Sequence, residues 1–120
     1  MRLAALAAAV ALLAAPALAQ TGGLYLLIYK AGPAWQVGKP MSQQGLAPHG
    51  AYMKSLFDAG RLVAGGPMTD TVGGLAIIRV ASAEEAKTVL AADPAIVGGI
   101  FTAEVHPWAP QFSSDKPIGR

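Results

Sequence analysis

Two imidazoles, His49 and His106, are the residues of this 120-residue chain best suited to proton exchange near neutral pH. A histidine acts as a general acid or base when a second group fixes its ring, and a carboxylate is the usual choice. Asp93, 44 positions after His49, is the candidate partner. Two readings fit the pair. In one, Asp93 orients His49 for proton transfer; in the other, His49 packs and caps a helix while Asp93 caps the Asp93-Pro94 turn. His106 falls near the end of the last strand, at the opposite rim, so the two histidines cannot share a metal within one subunit. No Cys, Asp or Glu cluster has ligand spacing either, and no metal site is expected. The Gly-Gly pairs fit no phosphate or dinucleotide loop, since none lies between a strand and a helix in the required form. They read as turn glycines, and Lys30 and Arg79 as ordinary strand charges.

The elements that must position His49 and Asp93 follow from hydrophobic spacing. Leu24 to Tyr29 is a short apolar run bounded by Gly22-Gly23 and Ala31-Gly32-Pro33, the pattern of a strand buried on both faces. Residues 31 to 45, with three glycines, two prolines and Trp35, form a loop long enough to carry function. From Leu46 the spacing turns helical: Leu46, His49, Met53, Leu56 and Phe57 share one stripe, with Pro48 in the first turn and Gly60 at the end. Residues 62 to 80 read as a hairpin bent at Gly65-Gly66-Pro67 and returning through Gly73-Gly74. Ser82-Ala83-Glu84-Glu85 is a capping box opening a second helix to about Ala92, with Asp93 in its last turn. A final strand spans Ile100 to about Val105, and residues 109–120 form a Pro- and Ser-containing tail.

Strand, helix, strand, strand, helix, strand is the α+β, ferredoxin-like βαββαβ order, with a four-stranded antiparallel sheet and two helices on one face. In that topology the start of the first helix, the end of the second and the hairpin turn meet at one rim. His49 and Asp93 therefore arrive at the same edge, joined there by Tyr29, Trp35, Pro67 and Met68, which are expected to line a small apolar pocket. Two helices cover one face of such a sheet, so the other should pack against a second copy, giving a homodimer.

At the amino end, Met1-Arg2 precedes an uninterrupted run of apolar residues, Leu3 to Ala19, closing on Ala17-Leu18-Ala19. This reads as a signal peptide, residues 1–19. The run is shorter than the ~20 residues a bilayer span needs and contains Pro16, so no membrane anchor is expected. Without cysteine, disulfides and a lipoprotein anchor are excluded. Cleavage leaves eight Lys/Arg against seven Asp/Glu with no basic cluster, which argues against nucleic-acid and anionic-membrane partners. The mature protein is expected to be periplasmic or secreted.

Several segments, in order, resemble the YciI-like (YCII-related) family: Ala47-Pro48-His49, Asp58-Ala59-Gly60-Arg61-Leu62-Val63, Gly65-Gly66-Pro67-Met68, Ala91-Ala92-Asp93-Pro94 and Val105-His106-Pro107-Trp108. Tyr29 to Trp35 matches a segment of one branch. The resemblance spans residues 24 to about 110, within a domain placed at residues 20–108. It implies a dimeric α/β-barrel type domain without metal or organic cofactor, and a His/Asp centre falling on His49 and Asp93. One branch is similar to lyases that eliminate chloride from hydroxylated chloroaromatics, which suits acid–base chemistry on an enolisable ring. The export signal departs from the family, whose members are mostly cytosolic. The expected function is a cofactor-independent lyase or isomerase acting on a small, aromatic substrate; the alternatives are a small-molecule-binding module without catalysis and a structural homodimer.

Expression of the full chain in a Gram-negative host is expected to deliver, in the periplasmic fraction, a protein starting at Gln20. An intact-mass measurement showing residues 1–19 retained would contradict the cleavage.

Overall fold

A computed structural model describes residues 22–119, so the export segment expected at residues 1–19 lies outside the described residues. Four strands, β1 (Gly23–Ala31), β2 (Leu62–Pro67), β3 (Gly74–Val80) and β4 (Phe101–Trp108), form one sheet in the order β2-β3-β1-β4. Every neighbouring pair is antiparallel. Three helices, α1 (Ala47–Asp58), α2 (Ala83–Ala91) and α3 (Pro94–Val97), and a single 3-10 turn, Met41–Gln43, complete the domain. This is the expected ferredoxin-like α+β arrangement with one helix more than anticipated.

The central strands β1 and β3 sort their side chains by alternation. Tyr25, Leu27 and Tyr29 of β1 pair with Ile78, Ala76 and Gly74 of β3, and all lie on the helix-covered face. Leu27 and Ile78 are wholly buried there, each worth roughly 1.5–3 kcal/mol against exposure. Leu56 of α1 and Ala86 and Val89 of α2 close over them. The intervening residues Leu24, Leu26, Ile28, Leu75 and Ile77 point the other way, are half-buried, and lie outside this core.

Local signals end the helices where the chain must turn. Gly60, at φ 73°, lets α1 stop: the Gly60 N–H donates to the Phe57 carbonyl and the Arg61 N–H to that of Leu56, the paired bonds of a Schellman cap. Ser82 caps α2 by accepting the Glu85 N–H, and the Glu85 carboxylate accepts the Ala81 N–H. Arg61 also ion-pairs with Glu85, fastening the start of β2 to α2.

Three boundaries differ from the sequence reading. Gly65 and Gly66 are not a bend between strands but part of β2, paired with Ala76 and Leu75; the irregularity comes earlier, as a register shift between Leu62 and Ala64. β4 begins and ends later than expected, running to Trp108 because its whole length pairs with β1. Finally, α2 stops at Ala91, and Asp93 is not in its last turn. Pro94 forbids that turn: the residue before a proline is pushed out of helical conformation, and Asp93 sits at φ −68°, ψ 122°. Pro94 then opens α3, with Asp93 as its N-cap.

Candidate active site

His49 is the third residue of α1, held at the rim by Ala47-Pro48, which start the helix. Its Nδ1 lies 2.9 Å from Oδ1 and 2.8 Å from Oδ2 of Asp93. An ionised carboxylate only accepts, so Nδ1 carries the proton and Nε2 is left with its lone pair in the neutral ring. Among the described residues Nε2 has no hydrogen-bond partner, and no buried side-chain nitrogen or oxygen lacks one, so this atom is open to solvent.

Asp93 itself has no solvent exposure. Its carboxylate is satisfied from three elements: His49 on α1, the Tyr29 hydroxyl at the end of β1, which donates to Oδ2 at 3.0 Å, and the Ala95 N–H of α3, which donates to Oδ1 at 2.9 Å. As an N-cap, the carboxylate meets the positive end of α3 and not, as the sequence reading expects, the last turn of α2. Burial, then the Asp93 charge and the hydrogen bond to it, pushes the Tyr29 hydroxyl far above its usual range, so it stays a protonated donor. Burial and the charge of Asp93 also raise Tyr52, whose hydroxyl donates to the Val89 carbonyl at 2.6 Å and ties α1 to α2.

Aromatic edges fix the imidazole plane. The His49 ring stands edge-to-face against Tyr29, at 5.5 Å and 70°, and against Phe101, at 5.6 Å and 76°. Beside it opens a cavity of about 350 Å³. Leu46, His49, Gly50 and Met53 form its α1 wall, at the spacing of one helix face. The sheet wall is built from Leu62, Gly65, Pro67 and Ala76, with Phe101 and Tyr29 at the back. Small residues leave the space there: where β2 meets β3, glycine and alanine carry nothing that could fill the gap beneath α1. The only titratable side chains in the lining are His49 and Tyr29, and the Tyr29 hydroxyl is already engaged by Asp93.

His49, Tyr29 and Pro67 thus border the cavity, and Asp93 stands behind His49. Trp35 and Met68 do not line it, contrary to the sequence reading. The Gly32 and Ala34 N–H groups donate to the carbonyls of Ile100 and Gly99, anchoring the loop beside the start of β4. The indole then stacks on Phe101, at 5.7 Å and 20°, and reaches the cavity only through that ring. Met68 follows Pro67, so strand alternation turns it away, and its N–H closes the hairpin on the Gly73 carbonyl. Met41 is a lining residue that sequence reasoning missed. It is delivered by a loop folded around Gln44, which is buried and bonds Gln36 through N–H and carbonyl and Lys39 through its carbonyl. A single Gln in a Gly/Pro-rich loop gives no sequence signal of that role. Among the described residues no three His, Asp or Glu side chains gather as a metal site, and no helix is long and apolar enough to cross a membrane.

Residues 23–109 match the family model of the YCII-related domain. No curated protein matches the chain significantly. Among solved structures, the chain is similar to 5-chloro-2-hydroxyhydroquinone dehydrochlorinase from Burkholderia phenoliruptrix AC1100, determined in complex with 2,5-dihydroxybenzoquinone. The two share 25% sequence identity and a TM-score of 0.54 over 72% of this chain and 93% of that one.

The raised Tyr29 has a consequence at alkaline pH. Above its usual value of 10.0 the unfolded chain releases this proton while the folded protein keeps it, so stability falls as pH rises, by about 1.4 kcal/mol per pH unit from this group. Following tyrosinate absorbance against pH should show at least one of the three tyrosines ionising only together with cooperative unfolding. Tyr29→Phe should remove that coupled ionisation; full ionisation of all three while the protein remains folded would contradict the burial of this hydroxyl.

Proposed function

Because the chain belongs to the YCII-related domain family, we propose that it catalyses a cofactor-independent lyase or isomerase reaction in which His49 moves a proton on a small aromatic or enolisable substrate. The observation that carries this reading is an imidazole that lines an apolar cavity, with one nitrogen held by a buried carboxylate and the other unpartnered among the described residues. Nε2 of His49 takes a proton from an acidic O–H or activated C–H. Positive charge then forms on the ring 2.8 Å from the Asp93 carboxylate, in surroundings where that attraction is poorly screened. The same nitrogen returns the proton, to another carbon in an isomerisation or to the departing group in an elimination. Both oxygens of Asp93 are engaged, Oδ1 by the Ala95 N–H and Oδ2 by the Tyr29 hydroxyl, which holds the carboxylate in place beside His49. The similar solved enzyme is named as a dehydrochlorinase, an eliminating activity of this general kind, and its structure holds a small quinone.

Two further parts belong to this proposal. The apolar amino-terminal segment directs export, so the enzyme works in the periplasm or outside the cell. Two copies pair through the uncovered sheet face, where Leu24, Leu26, Ile28, Leu75 and Ile77 form an apolar strip that water would otherwise meet. Beside that strip Glu104 accepts from Lys30 at 3.0 Å and from His106 at 3.1 Å, and these two, His106 first, hold its carboxyl below the usual range.

Turnover of a panel of small phenols, enols and lactones is expected to drop about 10²–10⁴-fold in His49→Gln and in Asp93→Asn. Unchanged turnover in His49→Gln would remove the acid–base role, whereas ligand binding without product in the wild type would favour a binding module. Sedimentation analysis should give a dimer that Ile28→Glu dissociates; a wild-type monomer at micromolar concentration would refute the pairing.

A further inference from the structure

The cavity is bounded by glycines of two different kinds. Gly73 and Gly74 are demanded by the fold: a Cβ at Gly73, which lies at φ 126°, would run into the Tyr29 carbonyl oxygen, and one at Gly74 would come within 2.7 Å of the Gly66 oxygen. Gly50 and Gly65 are not. Neither has a left-handed backbone, a Cβ at Gly50 would meet nothing within 4 Å, and one at Gly65 would make only ordinary contacts, 3.5 Å from Leu62 Cδ1 and the Leu75 oxygen and 3.7 Å from Ala76 Cα. Both positions are unfavourable for glycine, one inside a helix and one inside a strand, where a side chain would stabilise the element.

They also share a direction. Gly50 lies on the α1 stripe with Leu46, His49 and Met53, and Gly65 pairs with Ala76 on the helix-covered face of the sheet, so both would project a side chain toward the cavity. The lining contains no Lys, Arg, Asp or Glu. Resting on the proton-transfer reading above, we infer that Gly50 and Gly65 are specificity-determining positions that keep two bare backbone walls for a flat, uncharged ring, whose acidic hydroxyl meets His49 Nε2. A bulkier residue at either place takes the space of the ring without disturbing the fold, and an anionic substituent finds no cation.

The test uses Gly50→Ala, Gly65→Ala and the double variant of the full chain, with chlorohydroquinone and 4-hydroxybenzoate as probes at neutral pH. Wild type should bind chlorohydroquinone at least tenfold more tightly than 4-hydroxybenzoate. Each single variant should keep or raise the melting temperature and weaken chlorohydroquinone binding at least threefold, and the double variant at least tenfold. Binding unchanged in the double variant, melting temperatures lowered in both single variants, or equal affinity for the two probes in the wild type would each overturn the inference. His49→Gln separates the two claims: if it abolishes turnover while the glycine variants bind as wild type, the size-limiting role fails and the proton-transfer role stands.

Discussion

A carboxylate sealed from water must be satisfied by the protein alone, and Asp93 imposes that condition on the whole domain. Burying an ionised carboxyl group without partners costs several kcal/mol, more than a domain of this size can absorb beside its other losses. The partners come from the first turn of α1, the last residues of β1 and the second residue of α3. Those elements are far apart in sequence, so the carboxylate is content only when the sheet has its β2-β3-β1-β4 order and the helices lie on one face. The fold and the site are accordingly one problem solved once: any arrangement that misplaces α1 relative to α3 leaves a buried charge facing an empty position.

The cavity follows from the same packing. α1 is held over the sheet by Leu56 at its far end and by His49 at its near end, while the residues beneath its first turns are glycine and alanine. A helix pinned at both ends over small residues leaves a gap it cannot close, because α1 would have to tilt and break the bonds to Asp93 to do so. Phe101 backs the gap and is itself backed by Trp35, so two stacked rings stiffen the wall against which the imidazole stands edge-on.

What could be read from the sequence was whatever depends on periodicity and on chirality of connection. The order of elements, the Ser82 cap and the stop at Gly60 are local signals, and the meeting of His49 and Asp93 at one rim follows from strand direction alone. What depends on a neighbour distant in sequence was not legible. Asp93 moved from the end of one helix to the start of another because Pro94 acts on its predecessor's backbone, a local rule whose outcome the apolar pattern outvoted. Trp35 is expected in the lining because its loop reaches the same rim, but the loop's bonds to Gly99 and Ile100 decide where the indole goes. Gly65-Gly66 read as a turn since glycine is the usual sign of one; pairing with Ala76 and Leu75 is a long-range fact.

The two histidines show why composition cannot locate chemistry. Each has a carboxylate at hydrogen-bond distance, His49 with Asp93 and His106 with Glu104. By residue type the pairs are equivalent. On β4, however, His106 is paired with Leu26 on the uncovered face, and both it and Glu104 keep about half their side-chain surface, 52% each. In that setting water and salt screen the attraction, the carboxylate shares itself with Lys30, and either side chain can turn away at little cost. His49 keeps only 20% and its partner none, its ring is wedged between two aromatic rings, and it lines an apolar cavity. In the proposed reaction, the charge of a proton gained there would be answered by Asp93, 2.8 Å from the ring. The sheet separates these two imidazoles, enclosing one beside the cavity and leaving the other a surface contact.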